Sequence, residues 1–185
     1  MPDTPTDQTC RCHLCEPGAG LFDHTPAVAD HVRELGWHTQ GVLGEGEILG
    51  WAYSIGLWHS YRSPEVAILG FPAAEANKII NTLGGMARDG EPLRAGQRLA
   101  GVFSGYDVVL RDVHRNWYLD LFGQAIGFYQ APPLPFLQVC WPDREGRFVW
   151  DDEVGERFRA NQPQLWVRPD EHPPGPWKAL AGPAS

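Results

Sequence analysis

The chain has 185 residues, of which 43% are hydrophobic and 21% are charged, and its formal net charge is -8. This length suits one domain with tails, and the composition is that of a globular protein rather than of a disordered chain. The acidic balance argues against nucleic-acid binding, which usually requires a basic face, and no apolar run reaches the roughly 20 residues that span a membrane. The sequence therefore predicts neither a nucleic-acid partner nor a membrane partner.

The N-terminus is polar and contains no basic stretch followed by an apolar one. No secretory signal is predicted, and we expect a cytoplasmic protein. In the cytoplasm a cysteine is more often a free thiol or a metal ligand than half of a disulfide. We expect residues 1–20 to be a flexible segment that carries most of the cysteines.

Three of the four cysteines lie between positions 10 and 15. Cys12 and Cys15 form a C-x-x-C pair, whose thiolates can hold one side of a tetrahedral metal ion such as zinc. Cys10 and His13 are further ligands close by, although a distant ligand such as Cys140 or a histidine would also serve. Two alternatives stay open: a reactive thiol pair, and an ordinary flexible terminus with free thiols. The predicted zinc ligands are Cys10, Cys12, His13 and Cys15.

Apolar periodicity and turn residues place the helices and strands along the chain. Helices are predicted at 25–35, 72–88 and 117–129, and strands at 37–43, 51–57, 65–71, 98–103, 106–111, 136–141 and 147–150. Consecutive strands followed by helices that alternate with further strands are typical of an α+β fold. We predict a single α+β domain over residues 21–166, with a curved, mostly antiparallel sheet flanked by about three helices. The proline-rich residues 167–185 are predicted to form a flexible tail.

The strand at 51–57 carries the predicted ligand site. The side chains of Ala52, Ser54 and Gly56 make one face of this strand small, so that either a planar ring or a closely packed helix can lie against it. Beyond the strand, Arg62 has the planar guanidinium that binds a phosphate or a carboxylate through two hydrogen bonds. The predicted ligand-binding residues are Tyr53, Ser54, Trp58, His59 and Arg62.

The candidate catalytic residues are His59, Glu65 and His114. A histidine near its ordinary pKa of about 6.5 can act as an acid or a base, and Glu65 could orient His59. Structural roles are the alternatives, because Glu65 could accept hydrogen bonds from backbone amides in a turn and His114 could cap a helix. Whether the protein is an enzyme is left open, since no nucleophile with its supporting local motif is present.

Several motifs of the chain occur in the same order in one known family. They are Trp51-Ala-Tyr-Ser-Ile-Gly-Leu57, Ser63-Pro64-Glu65, Gln138-Val-Cys-Trp-Pro-Asp143, Gly146-Arg-Phe-Val-Trp150 and Gln162-Pro163. Between about Cys12 and Leu165 the chain resembles the bacterial proteins of domain-of-unknown-function family 4262. The pair Cys12 and Cys15 also looks like the cysteine pair that opens many of its members. The resemblance implies membership and no particular activity.

Three functions are compatible with these patterns. The first is binding of a small ligand at the strand end near Trp58–Arg62. The second is non-catalytic binding of a protein partner, as in immunity or adaptor proteins, which suits an acidic surface with aromatic residues and a proline-rich tail. The third is a flavin-dependent oxidoreductase, suggested by a loose likeness in strand order to flavin-binding split barrels. Flavin is the cofactor of this third alternative only.

Overall fold

The structure is a computed structural model that describes residues 10–16, 25–103, 105–130 and 134–181. Its helices are α1 (Thr25–Leu35), α2 (Leu57–Tyr61), α3 (Ala73–Arg88), α4 (Tyr118–Leu121), α5 (Gly123–Tyr129), α6 (Glu156–Asn161) and α7 (Pro176–Leu180), with a 3-10 helix at Arg115–Trp117. Its strands are β1 (His38–Leu43), β2 (Gly50–Ile55), β3 (Glu65–Leu69), β4 (Arg98–Phe103), β5 (Tyr106–Asp112) and β6 (Phe136–Cys140). Within the described ranges, no helix has both the length and the apolar character needed to cross a membrane.

The strands form one sheet in the order β1-β2-β3-β6-β5-β4. Neighbouring strands are antiparallel except β3 and β6, which run parallel. Antiparallel neighbours can be joined by short turns, whereas a parallel pair needs a long crossover. The chain between β3 and β6 supplies this crossover and includes α3, the β4–β5 hairpin, α4 and α5. The predicted α+β fold with a mostly antiparallel sheet is confirmed.

Helices cover both faces of the sheet. Because side chains alternate along β2, Trp51 and Tyr53 face one buried cluster and Ala52 faces the other. The cluster around Trp51 and Tyr53 is completed by residues of α1, α4 and α5. The cluster around Ala52 is completed by α3, with Ile79 and Ile80 in its buried face. The small face of β2 is thus covered by a helix in this structure.

β2 ends at Ile55, whereas the sequence predicted a strand through residue 57, and the residue that follows β2 is Gly56. Its φ of 119° lies in the region that favours glycine. A Cβ at this position would lie 2.7 Å from Cγ2 of Val32, so the close approach also requires glycine. Residues 57–61 consequently form α2 instead of extending the strand. This change of direction places His59 on a short helix.

Two other predicted elements differ from the structure. The predicted helix at 117–129 is divided at Phe122, whose φ of -127° and ψ of 33° are not helical. The predicted strand at 147–150 is a turn region. There the Asp143 carboxylate accepts hydrogen bonds from the amides of Glu145 and Arg147, at 3.0 and 2.8 Å. These amides are therefore satisfied locally and do not need a partner strand.

Parts of both predicted flexible segments pack on the domain. In the segment predicted at 1–20, Cys10 and Cys12 are buried, with 3% and 0% of their surfaces exposed. Residues 1–9 and 17–20 lie outside the described residues. In the tail predicted at 167–185, Trp177 on α7 is only 1% exposed and its indole nitrogen donates to the carbonyl of Ala160 at 2.9 Å. Residues 182–185 lie outside the described residues.

Candidate metal centre

Three cysteines and one histidine converge on one point of the structure. The sulfurs of Cys10, Cys12 and Cys15 and a ring nitrogen of His59 all lie within 4.8 Å of one another. Cys10 and Cys12 are buried, His59 is half-buried and Cys15 is exposed. The cluster therefore lies at the edge of the core, where an ion can enter from solvent.

Four of the six distances between these atoms are close to those of a tetrahedral zinc site, and all six are within 4.8 Å. A zinc ion with Zn–S bonds of about 2.3 Å and a Zn–N bond of about 2.0 Å separates two sulfurs by about 3.8 Å and a sulfur from the nitrogen by about 3.5 Å. The sulfurs of Cys12 and Cys15 are 3.8 Å apart. Nδ1 of His59 lies 3.8 Å from the sulfur of Cys10, 3.2 Å from that of Cys12 and 3.4 Å from that of Cys15.

A tight turn presents the cysteine ligands. The amides of Cys15 and Glu16 both donate to the carbonyl of Cys12, at 3.0 and 2.9 Å, which brings the two sulfurs of the C-x-x-C pair to the same side. The amide of His13 donates to the carbonyl of Phe128 on α5 at 3.0 Å. This bond attaches the turn to the domain, while the His13 side chain is not among the four converging ligands.

A buried carboxylate positions the histidine ligand. Oε1 of Glu65 accepts hydrogen bonds from the amides of Gly56 and Trp58, at 2.9 and 3.1 Å, at the start of α2. The hydroxyls of Ser54 and Tyr129 also donate to this carboxylate. Glu65 is 0% exposed, and these donors supply the partners that a buried carboxylate needs. Glu65 thereby fixes the backbone on which His59 stands.

Tyr129 connects the two sides of the cluster. Its hydroxyl donates to Glu65 and accepts from the amides of Gly56 and His59, at 3.0 and 3.4 Å. It ends α5, the helix whose Phe128 carbonyl receives the His13 amide. Sequence reasoning missed Tyr129, since only its position in an apolar helix stripe was visible there. Nothing local in the sequence links it to Glu65, which is 64 positions away.

Burial controls the protonation of the ligands. It raises the pKa of Cys12 to about 12 and also raises the pKa of Cys15. A divalent cation acts in the opposite direction, because it stabilises the thiolate form. Burial lowers the pKa of His59, and the charge of Arg62 lowers it further, which favours the neutral imidazole that binds metals. Complete burial raises the pKa of Glu65, against the lowering effect of its hydrogen bonds.

The residues predicted to bind a small ligand are dispersed in the structure. Tyr53 is 2% exposed and packs edge-on against Phe122 and Phe136, with ring centroids 5.2 and 6.3 Å away. Ser54 is 0% exposed and its hydroxyl bonds to Glu65. Trp58, His59 and Arg62 stay near the surface, and only His59 belongs to the metal cluster.

The other predicted polar residues have structural partners. A guanidinium nitrogen of Arg62 donates to the carbonyls of Trp58 and His59, at 2.7 and 3.1 Å, and so caps the end of α2. Nδ1 of His114 accepts the amide of Asn116 at 3.3 Å and caps the 3-10 helix. The contact of His114 is the capping role that the sequence left open beside the catalytic one, whereas the sequence suggested no such role for Arg62.

Comparison with known proteins gave a match to a family model that includes His59 but not the three cysteines. Neither a comparison with curated proteins nor one with solved structures gave a match. A family model described as a domain of unknown function, DUF4262, matches residues 31–155. This range contains His59 and Glu65 and begins after the three cysteines of the cluster. Since the match covers more than half of the chain, the protein belongs to the DUF4262 family of domains of unknown function.

Proposed function

We propose that this protein is a zinc-binding domain in which Cys10, Cys12, Cys15 and His59 hold one structural ion. The observation that supports this proposal is the convergence of four ligand atoms within 4.8 Å, with one sulfur–sulfur and three sulfur–nitrogen distances close to those of tetrahedral zinc. A site with four protein ligands leaves no open position for a substrate, which is the arrangement of structural rather than catalytic zinc.

The chemistry of the ligands favours zinc over other common ions. Thiolates and imidazole bind zinc well, whereas magnesium, calcium and manganese prefer oxygen ligands. All four ligand atoms of the cluster are sulfur or nitrogen, and the ligands belong to one chain. Tetrahedral coordination by three thiolates and one imidazole is one of the common structural zinc types.

The ion would attach the N-terminal segment to the domain. Cys12 and His59 are 47 positions apart, so a shared ion closes a long loop and restricts the unfolded chain. Because the unfolded chain lacks the assembled site, most of the binding free energy becomes folding free energy. In this proposal the zinc ion fixes residues 10–16 over the start of α2 and the end of α5.

The test is the metal content of the purified full-length chain, measured by native mass spectrometry and elemental analysis. We expect one zinc ion per chain, and loss of that ion in the variants Cys12→Ser and His59→Gln. The matched controls are Cys140→Ala and His114→Gln, which change a cysteine and a histidine outside the cluster and should retain the ion. A metal-free native protein after refolding with zinc, or equal zinc content in all four variants, would overturn the proposal.

The same mass spectrum tests the functions predicted from sequence. A bound flavin or another small molecule would add its own mass, and a stable protein partner would be retained with the chain. Ligand binding near Trp58–Arg62, partner binding and flavin chemistry stay predictions until that measurement. None of them is needed for the zinc proposal.

A further inference from the structure

A second region of the protein forms an open cleft, built from different elements than the metal centre. The end of β4, the start of β5, the turn after β6 and helix α6 surround a cavity of about 690 Å³. This volume is within the range of about 300–1,000 Å³ that is typical of small-molecule sites. The lining that matters for recognition consists of Phe103, Tyr106, Trp141, Phe158, Arg144 and Arg157.

Aromatic rings form the walls of this cleft. Phe103 and Tyr106 are stacked, with centroids 5.9 Å apart and ring planes 26° apart. Trp141 and Phe158 meet edge to face, with centroids 4.8 Å apart. All four side chains are half-buried, so each is held by the core and still presents part of its ring to the cavity. The ring surfaces left open to the cavity can contact another flat ring in offset-stacked or edge-to-face geometry.

Hydrogen bonds hold two of these rings in place before any ligand binds. The Tyr106 hydroxyl donates to the carbonyl of Arg144 at 2.9 Å, which ties the β4–β5 hairpin to the turn after β6. The indole nitrogen of Trp141 donates to the carbonyl of Leu69 on β3 at 3.2 Å. A ligand that enters the cleft would therefore lose little free energy to ordering these walls.

At the rim of the cleft, the acidic side chains are paired with an arginine, whereas two basic side chains are available to a ligand. The carboxylates of Asp143 and Glu145 both pair with the guanidinium of Arg147, at 2.7 and 3.0 Å. Arg144 and Arg157 form no salt bridge within the described part of the chain. The cleft thus has two cationic side chains available on a protein whose net charge is -8.

We propose that this cleft binds a small molecule that combines a flat aromatic ring with a carboxylate or a phosphate. The ring lies against the aromatic walls, and the acidic group pairs with Arg157 and Arg144 at the rim. An arginine guanidinium matches the two oxygens of either acid, so both kinds of acid belong to the proposed class. This site is independent of the zinc proposal, since it shares no residue with the metal cluster.

The test uses three naphthalene probes on the purified full-length protein, followed by NMR and by calorimetric titration. We expect 2-naphthoate and 1-naphthyl phosphate to bind with dissociation constants of roughly millimolar or tighter, and the uncharged 2-naphthamide to bind at least about fivefold more weakly. Comparison of the two acids decides whether a carboxylate or a phosphate is preferred.

The variants locate the binding. Arg157→Gln should weaken the acids by roughly tenfold and leave 2-naphthamide unchanged, because it removes one charge-assisted contact. Phe158→Leu should weaken all three probes, and Arg168→Gln, which changes an arginine outside the cleft, should weaken none. Equal thermal unfolding of Arg157→Gln and the parent protein verifies that the variant folds. No binding of either acid up to its solubility limit, or binding that Arg157→Gln does not alter, would overturn the proposal.

Discussion

The two halves of the metal cluster are held in different ways. Three ligands come from six consecutive positions, and the turn that carries them is attached to the domain by the bond from the His13 amide to Phe128 and by that from the Gln130 side chain to the carbonyl of Glu16. The fourth ligand, His59, stands on a helix whose start is fixed by the buried Glu65. If zinc binds as proposed, the histidine half should be formed before the ion binds, and the cysteine half should depend on the ion for its position. Chelation of the ion tests the cysteine half, and substitution of Glu65 tests the histidine half.

Removal of the proposed zinc ion should have the greatest effect, and it should act mainly on the cysteine half. When free zinc is about a thousandfold above its dissociation constant, chelation should lower the free energy of unfolding by about 4 kcal/mol. Hydrogen exchange should then speed up at the amides of His13 and Cys15, while those of Gly56 and Trp58 stay protected. Denaturant unfolding and exchange mass spectrometry measure the two quantities. Equal loss of protection at both sets of amides would contradict the difference between the halves.

The next effect concerns the histidine half. Glu65→Ala should lower the free energy of unfolding by about 3 kcal/mol, since it leaves two amides and the hydroxyls of Ser54 and Tyr129 without their buried acceptor. The loss should occur with zinc and after chelation alike, which distinguishes it from the cysteine variants. Glu65→Gln keeps the shape and one acceptor oxygen and should cost less. If the cost of Glu65→Ala vanished in the chelated protein, Glu65 would act only through the metal.

A smaller effect is expected from the hydroxyl that connects the halves. Tyr129→Phe should cost about 1 kcal/mol of stability and should also weaken zinc binding, because the amide of His59 loses an acceptor. Tyr118→Phe is the matched control: the hydroxyl of this buried tyrosine accepts the amide of Phe136 at 3.1 Å and, within the described residues, forms no hydrogen bond to the four ligands. It should reduce stability to a similar extent with unchanged zinc affinity. Competition with a chromophoric chelator measures the affinities.

The smallest effect is the loss of stability at acid pH that His38 causes. This loss can be distinguished from the release of the metal by acid. Nδ1 of His31 and Nδ1 of His38 are 2.8 Å apart, which requires at least one neutral ring. Burial lowers the pKa of His38, a hydrogen bond that its ring donates to the Gln40 side chain opposes this effect, and repulsion from His31 lowers the pKa further. The unfolded chain therefore binds the proton more readily, so stability is present above pH about 6.5 and decreases as the pH falls below it.

The change should be less than about 1 kcal/mol and should persist in the chelated protein. His38→Gln should flatten the pH dependence of unfolding between pH about 7 and 5 without altering zinc content. A pH dependence that disappears on chelation would instead assign the effect to the metal cluster.

Features that depend on neighbouring residues could be predicted from the sequence. Apolar periodicity located α1, α3 and the strands from β1 to β6, because the pattern of buried side chains follows the local helix or strand period. The three cysteines of the cluster could also be found in the sequence, because they lie close together in the chain and a C-x-x-C turn brings its two thiols to one side.

The histidine that completes the cluster could not be identified without the three-dimensional structure. His13 lies between the cysteines in sequence, yet its amide is attached to α5 and its ring is not among the ligands. His59 reaches the site because Gly56 turns the chain out of the sheet and Glu65 holds the new helix in place. These contacts join residues far apart in the chain, and local periodicity carries no information about them. Local sequence patterns were therefore enough to predict the fold class, whereas the candidate centre depends on packing between distant parts of the chain.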